Sequence, residues 1–330
     1  MTMRRRYRIL LWSAGGILAA CAVLVVVALI VMPRPTLDEL ARDTTVPAPS
    51  SGFDHAWHYA SDGTRLCERV YLPAGRRRGI VLYVAGITGV GGDEQPEFVA
   101  ALVGRGFEIR YLHPRGTGYS GGPRGDIANL DRYLEDYSEY ARTVAPAGTP
   151  LVVVGHSMGG VFALRVAASL PNTAGLVLIN PTHRYAASAG SSPSLLQYVA
   201  YAACVVLAPA NRVVDMGGRP EAITDPEERA EAVRRRPDPL VVRWFSMRAM
   251  LAAKQVMDGA PADAARCRCP LLLVDGDADR IVDREGHAAL LNAYAGPDRT
   301  RLTVPGGGHG YATVLRAMPT IAEWVDARGR

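Results

Sequence analysis

A serine, an aspartate and a histidine follow one another in chain order at positions 157, 279 and 309, each inside a loop rich in glycine or aspartate. Such a set can run acyl transfer. A serine hydroxyl is a weak nucleophile near neutral pH and needs a histidine base that an acid holds in orientation. Ser157 sits in Gly155-His156-Ser157-Met158-Gly159, a G-x-S-x-G arrangement. A β-branched run, Leu151 to Gly155, precedes it, and a helical pattern restarts at Val161. A serine on so tight a strand-to-helix corner is strained. Glycine two positions to either side relieves the crowding because it has no Cβ atom.

The base and acid follow from order. Of seven histidines, only His287 and His309 come after the aspartate-rich loop. His309 lies in the glycine-rich Pro305-to-Tyr311 stretch, whereas His287 falls on a helix, where it reads as a surface position. His156 neighbours the serine, but its side chain is expected to project away and pack. Asp275, Asp277, Asp279 and Asp283 crowd one loop, and Asp279 is preferred to Asp277 as the acid for its deeper place there. Calcium is not expected, because an EF-hand wants glycine sixth and glutamate twelfth, where this chain has Arg280 and Gly286. Cys267 and Cys269 have no second ligand pair, so zinc is not expected either. One donor to the developing oxyanion should be the amide of Met158, and the other should come from the loop Val84 to Gly92.

These groups need a scaffold whose strand ends converge. Gly79–Gly86, Phe107–Leu112, Leu151–Gly155, Ala174–Asn180, Pro270–Gly276 and Arg301–Gly306 read as strands. Glu97–Gly104, Leu130–Val144, Val161–Leu170 and Arg284–Ala295 read as helices. Continuous apolar strands alternating with amphipathic helices imply a parallel sheet covered on both faces, with its site just beyond the strand carboxyl ends. Between Asn180 and Pro270 no convincing strand is found. Leu195 to Ala208, apolar nearly all round, reads as part of a helical cap or as an ordinary core helix.

The chain opens with Arg4, Arg5, Arg6 and Arg8, then runs from Ile9 to Met32 without a charge, 24 residues in all. That length can cross a hydrocarbon core of roughly 30 Å as a helix. It reads as an uncleaved anchor, with the N-terminus cytoplasmic and the large domain outside. Leu18-Ala19-Ala20-Cys21 resembles a lipidation box, but eleven further apolar residues follow Cys21. Without the leading arginines the formal charge of +5 nearly vanishes, so no nucleic-acid surface is expected. Lys254 is the only lysine. A P-loop is thereby excluded, and Gly86-to-Gly91 is not the glycine loop of a tyrosine–lysine dehydrogenase, since Met250 stands four residues before Lys254.

Together these residues resemble the α/β-hydrolase superfamily, in particular its monoacylglycerol lipase and lysophospholipase (serine aminopeptidase S33-like) branch, over Phe53 to Arg330. Arg115-Gly116-Thr117-Gly118-Tyr119-Ser120 looks like that branch's R-G-x-G-x-S turn; Asp238-Pro239-Leu240 and Gly276-Asp277-Ala278-Asp279 are also similar. The resemblance implies an α/β-hydrolase fold with a helical cap, a Ser157–His309–Asp279 triad, and oxyanion donors from the amides of Ile87 and Met158. Two positions depart from it: Ala85 where the family has histidine, and His113 where it commonly has aspartate. The expected organisation is an anchor (1–32), a tether (33–52), a core in two parts (53–182 and 258–330) and a cap (183–257). The expected activity is cleavage of carboxylic esters, monoacylglycerol- or lysophospholipid-like, at a membrane and with no cofactor or metal. A short-chain esterase, an acyltransferase, a serine peptidase and a non-catalytic scaffold remain alternatives.

Overall fold

The computed structural model describes residues 55–89, 96–187, 194–217, 220–223 and 225–329, with scattered positions between 15 and 39. Half of the expected anchor, 12 of the 24 positions from 9 to 32, lies outside these. Among the described residues no helix is long and apolar enough to cross a membrane.

In chain order the elements are β1 (His55–Tyr59), β2 (Arg65–Tyr71), β3 (Gly79–Val84), α1 (Pro96–Val103), β4 (Phe107–Leu112), α2 (Leu130–Val144), β5 (Leu151–His156), α3 (Met158–Ala168) and β6 (Gly175–Ile179). Then come α4 (Leu195–Leu207), β7 (Arg212–Asp215), α5 (Pro226–Arg235), β8 (Trp244–Ser246), α6 (Met247–Ala264), β9 (Leu271–Gly276), α7 (Arg284–Ala293), β10 (Arg299–Val304) and α8 (Tyr311–Asp326). Eight strands form one sheet in the order β1-β2-β4-β3-β5-β6-β9-β10. It is parallel from β4 to β10, and β2 runs antiparallel to both β1 and β4.

The continuous apolar strands are buried on both sides, as a two-faced sheet requires. Successive residues point to opposite faces. Ile80, Leu82 and Val84 join α2, α3 and α6 in one core, while Val81 and Tyr83 join α1 and α8 in the other. The antiparallel β1 and β2 were not anticipated, nor was the pair β7–β8, which corrects the expectation of a strandless cap.

Helix α4 begins with a capping box, Ser194 and Gln197 each bonding the other's backbone N–H. It buries Ala200, Ala203 and Cys204 but leaves Leu195 at 77% and Val206 at 78% exposure. A core helix would not leave that face open. Within the segment expected as a tether, Glu39 pairs with Arg243 beside β8 at 3.0 Å.

The R-G-x-G-x-S turn is structural. His113, standing where the family commonly has aspartate, accepts the Tyr119 N–H at Nδ1 (3.2 Å), so a neutral imidazole supplies the acceptor. Gly118 has φ +51°, and a Cβ there would run into the His113 ring. Arg115 is held by Asp136 at 2.9 Å.

Candidate active site

The corner after β5 is built by exclusion. Ser157 has φ 57° and ψ −127°, a backbone region that a non-glycine residue occupies only when its surroundings impose it. A Cβ on Gly155 would strike the carbonyl of Gly159, and one on Gly159 would strike the carbonyl of Val84. The bend is pinned by the Ser157 N–H donating to Ile179 O (2.9 Å) and by Ser157 O accepting from Gly160 and Thr182. Ser157 caps α3 without a side-chain bond to the helix. Its hydroxyl is turned elsewhere.

It meets His309. Ser157 Oγ lies 2.7 Å from His309 Nε2, and His309 Nδ1 lies 2.8 Å from Asp279 Oδ2. The Asp279 carboxyl side chain is fully buried, and its other oxygen accepts the N–H groups of Ile281 (2.8 Å) and Val282 (3.1 Å). Burial alone would raise its pKa. The hydrogen bond and charge of His309, with those two amides, outweigh burial and hold it below the ordinary carboxylate value. Asp279 is therefore ionised and accepts from Nδ1–H, which leaves Nε2 free to accept the serine proton.

The neighbouring aspartates have separate partners. Asp277 accepts the Gly306 N–H at 2.6 Å, and Asp283 caps α7. Asp275 is fully buried among Arg284, Arg301 and Thr303. His287 was expected at the surface of its helix. It is instead fully buried, because α7 turns that face onto the sheet. Its Nε2 lies 3.1 Å from Pro181 O, and its Nδ1 lies 3.7 Å from Asp275. Ile87 follows β3, and a Cβ on the adjacent Gly86 would lie 3.6 Å from Gly159 N and 3.9 Å from Met158 Cβ. The two expected donor segments thus run side by side at the start of α3.

Two residues at this centre were not anticipated. Thr182 is buried with its hydroxyl 3.1 Å from Ser157 Oγ. Asn180, with φ 43°, is fully buried. Its side-chain oxygen accepts from Gly276 N (2.9 Å), and its amide donates to Gly308 O (3.0 Å) and to His309 O (3.3 Å). One side chain thus ties the end of β6 to the acid strand and the histidine loop. A signal existed: a polar residue ending the apolar run Gly175–Ile179, at the strand end where such sheets carry their sites.

A cavity of about 970 Å³ opens between cap and core, with His309 and Thr88 in its wall. Met216, Ile223, Val241 and Ile281 give it apolar surface. The volume is in the range of small-molecule sites.

Residues 75–313 match the family model described as serine aminopeptidase, S33. The chain belongs to that family. This S33-family chain is an ester hydrolase of the monoacylglycerol lipase branch of the α/β-hydrolases. It is 31% identical over 257 residues to the monoacylglycerol lipase of Mycolicibacterium smegmatis, covering 75% of this chain and 86% of that one. It is 26% identical over 273 residues to mouse monoglyceride lipase, covering 80% and 85%. A soluble variant of monoglyceride lipase from Saccharomyces cerevisiae, in complex with a substrate analog, shares the fold. Its TM-score is 0.70 at 19% identity, covering 86% of this chain and 99% of that one.

Proposed function

We propose that this S33-family hydrolase cleaves long-chain monoacylglycerol-type esters at a membrane surface, through Ser157, His309 and Asp279. The observation that carries the reading is the continuous hydrogen-bonded line from Ser157 Oγ through the His309 ring to Asp279, beside the cap–core cavity. Ser157 Oγ attacks the ester carbonyl while His309 Nε2 takes its proton. The amides of Ile87 and Met158 receive the oxyanion, aided by the positive end of α3. Collapse of the tetrahedral intermediate returns the proton to the departing glycerol oxygen and leaves an acyl-serine. Water, deprotonated by the same nitrogen, then releases the fatty acid.

Met216, Ile223, Val241 and Ile281 offer an acyl chain an apolar stretch of a wall that also carries charged side chains, Arg243 and Glu228 among them. The relatives named monoacylglycerol and monoglyceride lipases support the same class. The tether bears on delivery: Glu39 reaches Arg243, which also lines the cavity. An apolar segment at residues 9–32, with the N-terminus cytoplasmic, would hold the cavity mouth close to the bilayer. The test is hydrolysis of a monoacylglycerol chain-length series by the full chain in mixed micelles, with lysophospholipids in parallel. Turnover should rise toward long acyl chains. Turnover confined to short, water-soluble esters would overturn the lipid reading.

A further inference from the structure

Helix α5 of the cap buries none of its residues. Its N-terminus is well made, with Asp225 capping the amides of Glu227 and Glu228 at 2.9 Å and Pro226 at the start. With no apolar face to bury, such a helix needs polar contacts to stay against a domain. Three of them converge on the histidine loop. Glu228 Oε1 accepts the backbone N–H of His309 and that of Gly310 (3.0 Å), and Glu231 Oε2 accepts the N–H of Tyr311 (3.0 Å). Residues three apart share a helix face, so both carboxylates aim the same way.

The receiving loop is shaped for them. Helix α8 starts at Tyr311 after Gly310, which offers no side-chain cap. The orphan amides of its first turn and the positive end of its dipole are met by the two acids. A Cβ on Gly308 would collide with Glu228 Oε1, and one on Gly310 would press on Glu228 Cγ and Glu231 Oε2. Glycine on both sides of His309 is what lets the carboxylate in.

We propose that Glu228, supported by Glu231, is a positioning residue for the general base. By gripping the main chain at His309 from the cap, it sets the imidazole on Ser157 and makes the docked position of α5 a condition for turnover. The proposal rests on His309 being the base of the hydrolase reading above. Asn180 holds the carbonyl side of the same loop from the core, so the bracket completes a grip begun from below.

The test uses the full chain in detergent micelles and follows two quantities. One is amide hydrogen exchange at residues 309–311, which needs no substrate. The other is kcat and KM for a long-chain monoacylglycerol. Glu228→Ala should speed exchange at His309 and Gly310 and lower kcat roughly 10- to 100-fold, the scale of a misplaced catalytic group. Glu228 also lines the cavity, but its bonds go to the main chain of the histidine loop, so the loss should fall mainly on kcat, with KM changing by less than kcat does. Glu228→Gln keeps an acceptor oxygen and should recover much of the loss. It also serves if the alanine variant does not fold. Gly308→Ala, which obstructs the bracket from the other side, should mimic Glu228→Ala, and the double variant should be no worse than either single. Glu227→Gln, which weakens only the exposed contact of Glu227 with Arg316, should leave activity unchanged.

Unchanged exchange in Glu228→Ala, faster exchange with undiminished kcat, or additive losses in the double variant would each overturn the bracket. Failure of the hydrolase reading looks different: a wild type that turns over no ester and takes no fluorophosphonate at Ser157.

Discussion

His156 Nε2 lies 2.7 Å from the main-chain carbonyl of His309, with the two rings 5.5 Å apart and tilted by 35°. A carbonyl only accepts, so this nitrogen carries the proton and the neutral tautomer of His156 is set. His156, next to Ser157 in the chain, bonds the His309 main chain rather than the Ser157 hydroxyl. It supports the loop that carries His309.

Burial first, and then the charge of His309, push the His156 pKa down to about 4. A histidine whose folded pKa lies below its unfolded value, about 6.5, contributes stability that is fully present above that value. The contribution is lost as pH falls through about 4. The melting temperature of the wild type should therefore decline between those two values. In His156→Gln, which keeps a donor toward the carbonyl, the decline should be shallower. Thermal unfolding at half-unit pH steps reads this directly, and parallel curves for the two proteins would refute it.

Asp279 and Asp277 are two residues apart but not interchangeable. Asp279 faces the imidazole, whereas Asp277 braces the amide of Gly306. Asp279→Asn should cost about 10⁴ in kcat, because the amide favours the wrong imidazole tautomer. Asp277→Asn should cost less than about 10-fold, since an amide oxygen still accepts from a backbone N–H. Steady-state kinetics on the pair separates them, and equal losses would count against Asp279 as the orienting acid.

Asn180 is the joint where β6, β9 and the histidine loop meet. Asn180→Ala strands the buried Gly276 N–H, leaves the Gly308 carbonyl with only the Thr313 hydroxyl, and puts alanine at φ 43°. The expected loss is about 2 to 4 kcal/mol of stability, together with slower fluorophosphonate labelling of Ser157. Denaturant unfolding and labelling rates test both halves. A variant of native stability with native labelling would show that the joint is dispensable.

The Thr182 hydroxyl shares the Ser157 oxygen with His309. With the Ser157 hydroxyl donating to His309, Thr182 donates to Ser157 Oγ and holds that rotamer. The isosteric Thr182→Val should lower kcat roughly 3- to 10-fold with little change in KM, the loss of one neutral hydrogen bond. A change in KM alone would assign Thr182 to substrate binding instead.

The central strands β3, β5, β6 and β9 were legible because their side chains are buried on both faces, so the chain writes them as near-continuous apolar runs. β4 and the edge strand β10 carry charged residues and were legible from alternation and from the turn that follows. β1 and β2 lie at the antiparallel edge, where HAWHY and RLCERVY mix exposed and buried positions and carry no such run. β7 and β8 are only four and three residues long, too short to stand out from a cap. Helix α8 hid behind the glycine loop and carries Pro319 inside it. Ser157 and His309 could be read from loop chemistry and chain order. Asn180 left one signal, a polar residue ending an apolar strand, whereas Thr182 and Glu228 left none, because each acquires its role only when separate elements meet. In the sequence, Glu228 belongs to a charged run, PEERAEAVRRR, indistinguishable from a solvated helix face.

The central claim is that Ser157 is the acylated residue. The most direct measurement treats the full chain with a fluorophosphonate and locates the adduct by peptide mass spectrometry, with monoacylglycerol hydrolysis followed on the same sample. The account predicts one adduct per chain at Ser157, loss of hydrolysis in step with labelling, and neither in Ser157→Ala. Hydrolysis that survives in Ser157→Ala, or an adduct on another residue that abolishes it, would contradict the account.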